Sequence, residues 1–105
     1  MLNVLKQRAR ELGDFPEDVR GNLADAIARL ELGQVLSMPL SRPMPGIGRG
    51  VHELRFRHRS GVYRVVYYLA GAGAIHLLHS FMKKSSRTPQ QNIETARRRL
   101  REVMK

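Results

Sequence analysis

Between Ser37 and Gly50 the chain places Pro39, Pro43, Pro45, Gly46, Gly48 and Gly50 in one short stretch. Proline lacks the N–H that a helix interior or a central strand needs, and glycine loses the most backbone entropy on ordering. No helix crosses such a stretch, and most of it must be loop. The chain is therefore divided into a helical N-terminal part and a C-terminal part that has to build its own sheet. Met38, Leu40, Met44 and Ile47 make the stretch too apolar for a free linker. It reads as an ordered crossover between the two parts.

On the N-terminal side, Leu2, Leu5, Ala9 and Leu12 recur at helical spacing and predict a short amphipathic helix ended by Gly13. Asp14-Phe15-Pro16-Glu17 predicts a second start, with Asp14 as cap, Glu17 three residues on and Pro16 in the first turn. Val19, Leu23, Ala26, Ile27 and Leu30 form its apolar face, and Gly33 stops it. Two helices joined by so short a turn should pack as an antiparallel hairpin.

Beyond the crossover, Val51 to His58, Val62 to Leu69 and Ala74 to Met82 read as strands. Arg59-Ser60-Gly61 and Ala70-Gly71-Ala72-Gly73 supply tight turns, so the three form an antiparallel meander. Lys83-Lys84-Ser85-Ser86-Arg87 is a basic loop. Thr88-Pro89-Gln90-Gln91 predicts a helix start, with Thr88 as cap and Pro89 at the first position. Ile93, Ala96, Leu100, Val103 and Met104 line one face of that last helix. The expected fold class is α+β: two N-terminal helices on a small antiparallel meander of three to four strands, plus a C-terminal helix.

A chain of 105 residues suits a single domain spanning residues 1–105. It has no cysteine, so disulfides, zinc–thiolate sites, iron–sulfur clusters and thiol catalysis are excluded. No apolar run approaches the ~18 residues of a membrane span. Met1 to Lys6 has no uninterrupted apolar core of a secretory signal, so the cytoplasm is the expected compartment and no membrane the expected partner.

The net charge is +10, and its distribution matters more than its size. Residues 1–34 carry five Lys/Arg against six Asp/Glu, whereas residues 35–105 carry fourteen against three. Solubilising surfaces mix signs; a strongly one-signed region points to a polyanion or an acidic partner. Arg55 and Arg57 share one face of their strand, and Arg64 lies in the most apolar strand. A charge there needs either an ion-pair partner, for which Glu53 is placed, or a face open to solvent or ligand. Lys83, Lys84 and Arg87 leave the third strand. In a meander these groups converge on one face and rim, and a face with several cations and no acid draws phosphates.

Other chemistries have little to stand on. His76 and His79, three apart on a strand, should point to opposite faces. His52 and His58 share a face but lie ~20 Å apart at strand rise. No carboxylate pair or metal-binding motif appears, so no metal and no cofactor are expected. Gly46-Ile47-Gly48-Arg49-Gly50 is glycine-rich, but no strand–loop–helix surrounds it as a nucleotide loop requires. Tyr63, Tyr67 and Tyr68 read as packing residues that brace the sheet.

Taken in order, Phe15-Pro16-Glu17-Asp18-Val19-Arg20, the hairpin from Glu53-Leu54-Arg55 to Gly61-Val62-Tyr63-Arg64-Val65-Val66-Tyr67, Leu77-Leu78-His79-Ser80-Phe81-Met82-Lys83-Lys84 and Thr88-Pro89 cover most of the chain. This ordered set resembles the RelE/HigB-type toxins of bacterial type II toxin–antitoxin systems, especially their phage-type branch. The resemblance implies a RelE-like fold and a metal-independent endoribonuclease that cuts mRNA on the ribosome and inhibits translation. It also implies an acidic antitoxin as partner, a HigA-like helix-turn-helix protein through which DNA would be met only indirectly.

Residue by residue, the family's basic strand pair falls on Arg55 and Arg57, its central arginine on Arg64, and its basic residue past the last strand on Lys84, beside Lys83. His79 and Phe81 match a histidine and an aromatic of the phage-type branch. The implied catalytic set is Arg64, Arg55, Lys84 and His79, with Arg57, Lys83, Arg87 and Arg59 binding RNA. In that set the cations stabilise the phosphorane, and His79 is the group suited to proton transfer. Two features depart from the family. No tyrosine follows Tyr68, with Gln90 and Asn92 in that neighbourhood instead. Many members also open with a β-strand, which implies here either a sheet one strand smaller or a first segment that is a strand after all. A ParE-type gyrase inhibitor shares the scaffold. A non-catalytic nucleic-acid-binding module using Arg97, Arg98, Arg99 and Arg101 is the reading from a different class.

Overall fold

The computed structural model describes residues 2–3, 11–83 and 88–104. The chain order is β1 (Leu2–Asn3), α1 (Glu17–Glu31), β2 (Ser41–Pro43), β3 (Val51–His58), β4 (Gly61–Leu69), β5 (Ile75–Lys83) and α2 (Gln90–Val103). The strands form one sheet in the order β1-β5-β4-β3-β2, antiparallel throughout except for the parallel pair β1 and β5. The α+β class and the β3–β5 meander are as the sequence predicts.

The opening segment corrects the expectation of a helix from Leu2, because Leu2 and Asn3 pair with Ile75 and His76. A stripe of leucines at helical spacing leaves these two backbone units free to complete an open sheet edge, and edge hydrogen bonds decide the conformation there. Residues 11–13 are helical; the rest of that expected helix, and the hairpin it was to form, fall on residues 4–10, outside the described residues. In the proline-rich crossover, Ser41 to Pro43 pairs with Leu54 to His52 as an edge strand, the one sheet position where proline is tolerated.

The two helices pack on opposite faces of the sheet. Val19, Leu23, Ala26, Ile27 and Leu30 of α1 bury themselves with Phe15 and Leu36 against Leu54, Phe56, Tyr63, Val65, Tyr67, Ile75 and Leu77. On the other face, Ala96 and Leu100 of α2 pack with Ile47, Val51, Val66 and Leu78. The two-residue period of the strands separates these cores: odd positions of β3 and even positions of β4 face α2. Gly33, with φ +84°, ends α1 in the left-handed region.

Neither predicted cap forms. Pro16 and Pro89 occupy the positions before the two helices, and neither start carries a side-chain cap. Asp14 stands too far ahead of Glu17, and the Thr88 hydroxyl is engaged elsewhere.

Candidate nucleic-acid interface

A register shift between Val66 and Tyr67 interrupts the β4–β5 ladder opposite Leu78. The extra residue resets the alternation of β5, so His79 and Phe81 join the face that carries α2. His76, paired with Tyr68, is also on that face. The expectation that His76 and His79 point to opposite faces is thereby corrected: the bulge adds the residue that strict alternation does not count.

With the register known, the α2 face is a set of cross-strand rows. Arg42, Glu53, Val66 and His79 form one, Arg55, Arg64 and Phe81 the next, and Arg57, Val62 and Lys83 the last. Ala96 and Leu100 cover the end at Val51, Val66 and Leu78. Arg55, Val62, Phe81 and Lys83 are half-buried, and Arg57 is exposed.

Glu53 is fully buried at the centre of this face, where an acid-free surface was expected. Arg64, equally buried, donates from Nη1 to Glu53 Oε1 at 3.1 Å and to Thr88 Oγ1 at 3.1 Å. Thr88 Oγ1 donates to Glu53 Oε2 at 2.8 Å and accepts from Arg42 Nη2 at 3.2 Å. Arg42 Nε lies 3.4 Å from Glu53 Oε1. Burial pushes the Arg64 guanidinium below its usual range, and the Glu53 charge opposes that shift. The Arg64 guanidinium is thus enclosed and bound to Glu53, the ion-pair alternative that the sequence left open. A carboxylate buried without partners would cost several kcal/mol, and this demand also draws Thr88 away from capping α2.

His79 is held from every side. Its Nε2 lies 2.7 Å from Asn92 Oδ1 and must donate there. Its Nδ1 lies 3.2 Å from both Glu11 Oε2 and Arg99 Nη1. Arg99 Nη1 also donates to both Glu11 carboxylate oxygens at 3.0 Å and to the Leu78 carbonyl at 2.9 Å. Glu11 Oε1 accepts the Ser80 N–H at 3.1 Å. The ring stacks on Phe81, with centroids 5.2 Å apart and planes at 25°. A histidine with both nitrogens engaged braces the sheet; to transfer a proton it would first have to release Asn92 or its Glu11–Arg99 pair.

The remaining cations differ in position. Arg55 and Arg57 flank a cleft of about 250 Å³ with Pro39, Leu40 and Val62. Arg55 Nε is buried without a hydrogen-bond partner among the described residues. Lys83 closes the row opposite Arg57. Arg59 lies apart, in a cleft with Pro16, Glu17, Asp18 and His58. Lys84 and Arg87 lie outside the described residues. Arg97 is committed to the Gly46 carbonyl and Arg99 to Glu11, which leaves Arg98 and Arg101 exposed on α2.

Sequence reasoning did not single out Arg42 or Glu11, and it named Asn92 and Arg99 without their places beside His79. The signal for Arg42 was its place opposite Glu53, visible only once β2 is known to be a strand. No helix among the described residues is long and apolar enough to cross a membrane.

A small α+β domain with a cation-rich sheet face, stapled by an Arg–Glu–Thr cluster, is the class that this fold and site define. Residues 10–101 match the family described as phage-derived protein Gp49-like (DUF891), and the chain belongs to that family. It is a RelE-like toxin family. Comparison with curated proteins finds no match.

Proposed function

We propose that this chain is the toxin of a type II toxin–antitoxin module, a single-domain cytoplasmic endoribonuclease that cuts mRNA on the ribosome without a metal. The observation that carries the reading is the set Arg55, Arg57 and Lys83, half-buried or exposed on one face of the sheet, with Arg55 and Arg57 lining a cleft. Cations that converge on one face suit the oxygens of a phosphate.

In this mechanism the RNA 2′-OH attacks the adjacent phosphorus, and the 5′-oxygen leaves. The products are a 2′,3′-cyclic phosphate and a 5′-hydroxyl. Arg55, Arg57 and Lys83, with Lys84 and Arg87 following, neutralise the charge that builds on the pentacoordinate phosphorus. Arg64 acts through Glu53, holding β3 and the start of α2 in register. A toxin family implies an antitoxin. The excess of fourteen Lys/Arg over three acids beyond residue 34 supports an acidic one, of the helix-turn-helix kind, which would link the toxin to DNA only indirectly.

The test is induction of this chain without its neighbouring gene, followed by mapping of mRNA 5′ ends. New 5′-hydroxyl ends in translated regions, and cleavage by purified protein on ribosomes in excess EDTA, are the expected results. Growth arrest with DNA damage and intact mRNA would replace this reading by gyrase inhibition. RNA binding without cleavage would reduce it to a binding module.

A further inference from the structure

β2 covers the outer edge of β3 only as far as Ser41, opposite Leu54, with one more hydrogen bond from the Arg55 N–H to the Leu40 carbonyl at 2.9 Å. Beyond that point no strand among the described residues pairs with this edge, and Arg55 and Arg57 border a cavity on either side of it. One is the cleft with Val62. The other, of about 300 Å³, lies against α1. Asn22, Asp25 and Arg29 form its polar wall, and Ala26, Leu40 and Phe56 its apolar one. Arg29 donates to Gln34 Oε1 at 3.1 Å, whereas the side chains of Asn22 and Asp25 are exposed and engage nothing among the described residues. A carboxylate in this position repels a second phosphate or an acidic peptide, yet accepts N–H donors. A nucleotide meets both demands, with an anionic phosphate for the arginines and a base edge for the carboxylate.

We infer that this second cavity takes the unpaired base of a nucleotide whose phosphate lies against Arg55 and Arg57, and that Asp25 selects guanine there. Of the four bases only guanine presents two adjacent donors, N1–H and the N2 amine, which match the two oxygens of one carboxylate. Its O6 follows on the same edge and suits the amide of Asn22, three residues earlier on the same side of α1. Ala26, Leu40 and Phe56 supply the apolar walls that a base needs once it leaves water. The inference rests on the RNA-cleaving reading and adds to it a base preference beside the same arginines.

The probe is a set of short RNAs made uncleavable by 2′-O-methyl riboses, all adenine except for one position that carries guanine, inosine, cytosine, uracil or adenine. Each is titrated with the full chain at low salt and followed by fluorescence anisotropy. The guanine RNA is expected to bind ~5- to 150-fold more tightly than the all-adenine one, the range for one bidentate pairing. Inosine, which lacks the N2 amine, should fall between the two. Asp25→Ala should bring the guanine RNA down to the level of the adenine one, and Asn22→Ala should narrow the difference in part. Melting curves on both variants separate lost recognition from lost fold. If the wild-type protein binds all five RNAs alike, or prefers another base, the guanine assignment is refuted while the RNA reading stands. The same holds if Asp25→Ala folds and keeps the preference. If the wild-type protein binds none of the RNAs, both fall together.

Discussion

Replacing Arg64 by alanine should destabilise the fold by a measurable amount. The substitution removes one of the two bound cations around Glu53, a carboxylate with no exposed surface. Breaking a buried pair by deleting one partner costs about 3–5 kcal/mol, because the surviving charge is left uncompensated. Arg42, 3.4 Å from the same carboxylate and 30% exposed, can follow it in part, which places the expected loss near the lower figure, ~3 kcal/mol. With a melting entropy of ~2.1 cal/mol/K per residue, a chain of 105 residues loses about 4–5 °C per kcal/mol, so Tm should fall by ~14 °C. Thermal unfolding followed by circular dichroism at pH 7 reads this directly. The double variant Glu53→Leu/Arg64→Met removes both charges at similar volume and should recover most of the loss. A single variant melting within ~3 °C of the parent would refute the argument. So would a double variant that melts below the single one.

Four further outcomes are expected. Burial lowers the His52 pKa, so the unfolded chain takes up its proton near 6.5 while the folded chain resists; stability should decline as pH falls below about 6.5, and His52→Phe should flatten that limb of a Tm-against-pH plot. Arg55→Ala should leave Tm within a few degrees, yet weaken RNA binding and reduce the salt slope by about 1 in a titration series. Ser80→Ala removes a buried hydroxyl with no partner among the described residues, so urea denaturation should show a change within ~1 kcal/mol of neutral. His79→Gln should slow RNA cleavage only a few-fold; a loss of ~100-fold or more with RNA binding unchanged would give the histidine a proton-transfer role instead.

The strands β3, β4 and β5, α2's buried stripe and α1's apolar face were legible because each rests on a local period that packing then rewards. Arg55, Arg57 and Lys83 could be placed on one face for the same reason. What could not be read depends on partners far away in the chain. The bulge at Leu78 leaves no mark in a run of apolar residues, and with it the facing of His79 and Phe81 was hidden. Thr88 carries a complete local signal for a cap, but a buried carboxylate 35 residues earlier outbids a helix end that water can satisfy. Leu2 and Asn3 carry a helix-like period and are captured by the free edge of β5. In each case the tertiary demand exceeded a local preference worth about 1 kcal/mol.

The tie between Glu11 and Arg99 spans 88 residues, and Asn92 and Thr88 reach back to His79 and Glu53 in the same way. The segment from Thr88 through α2 thus carries partners of groups set in the elements before it. A chain that stops short of Thr88 has its sheet residues in place but leaves Glu53 without its hydroxyl donor, Glu11 without its arginine and His79 without its amide. Closing such long loops is slow, and their contacts reward folding only at the end. Glu53, Glu11 and His79 therefore stay incompletely partnered in a nascent copy until α2 docks.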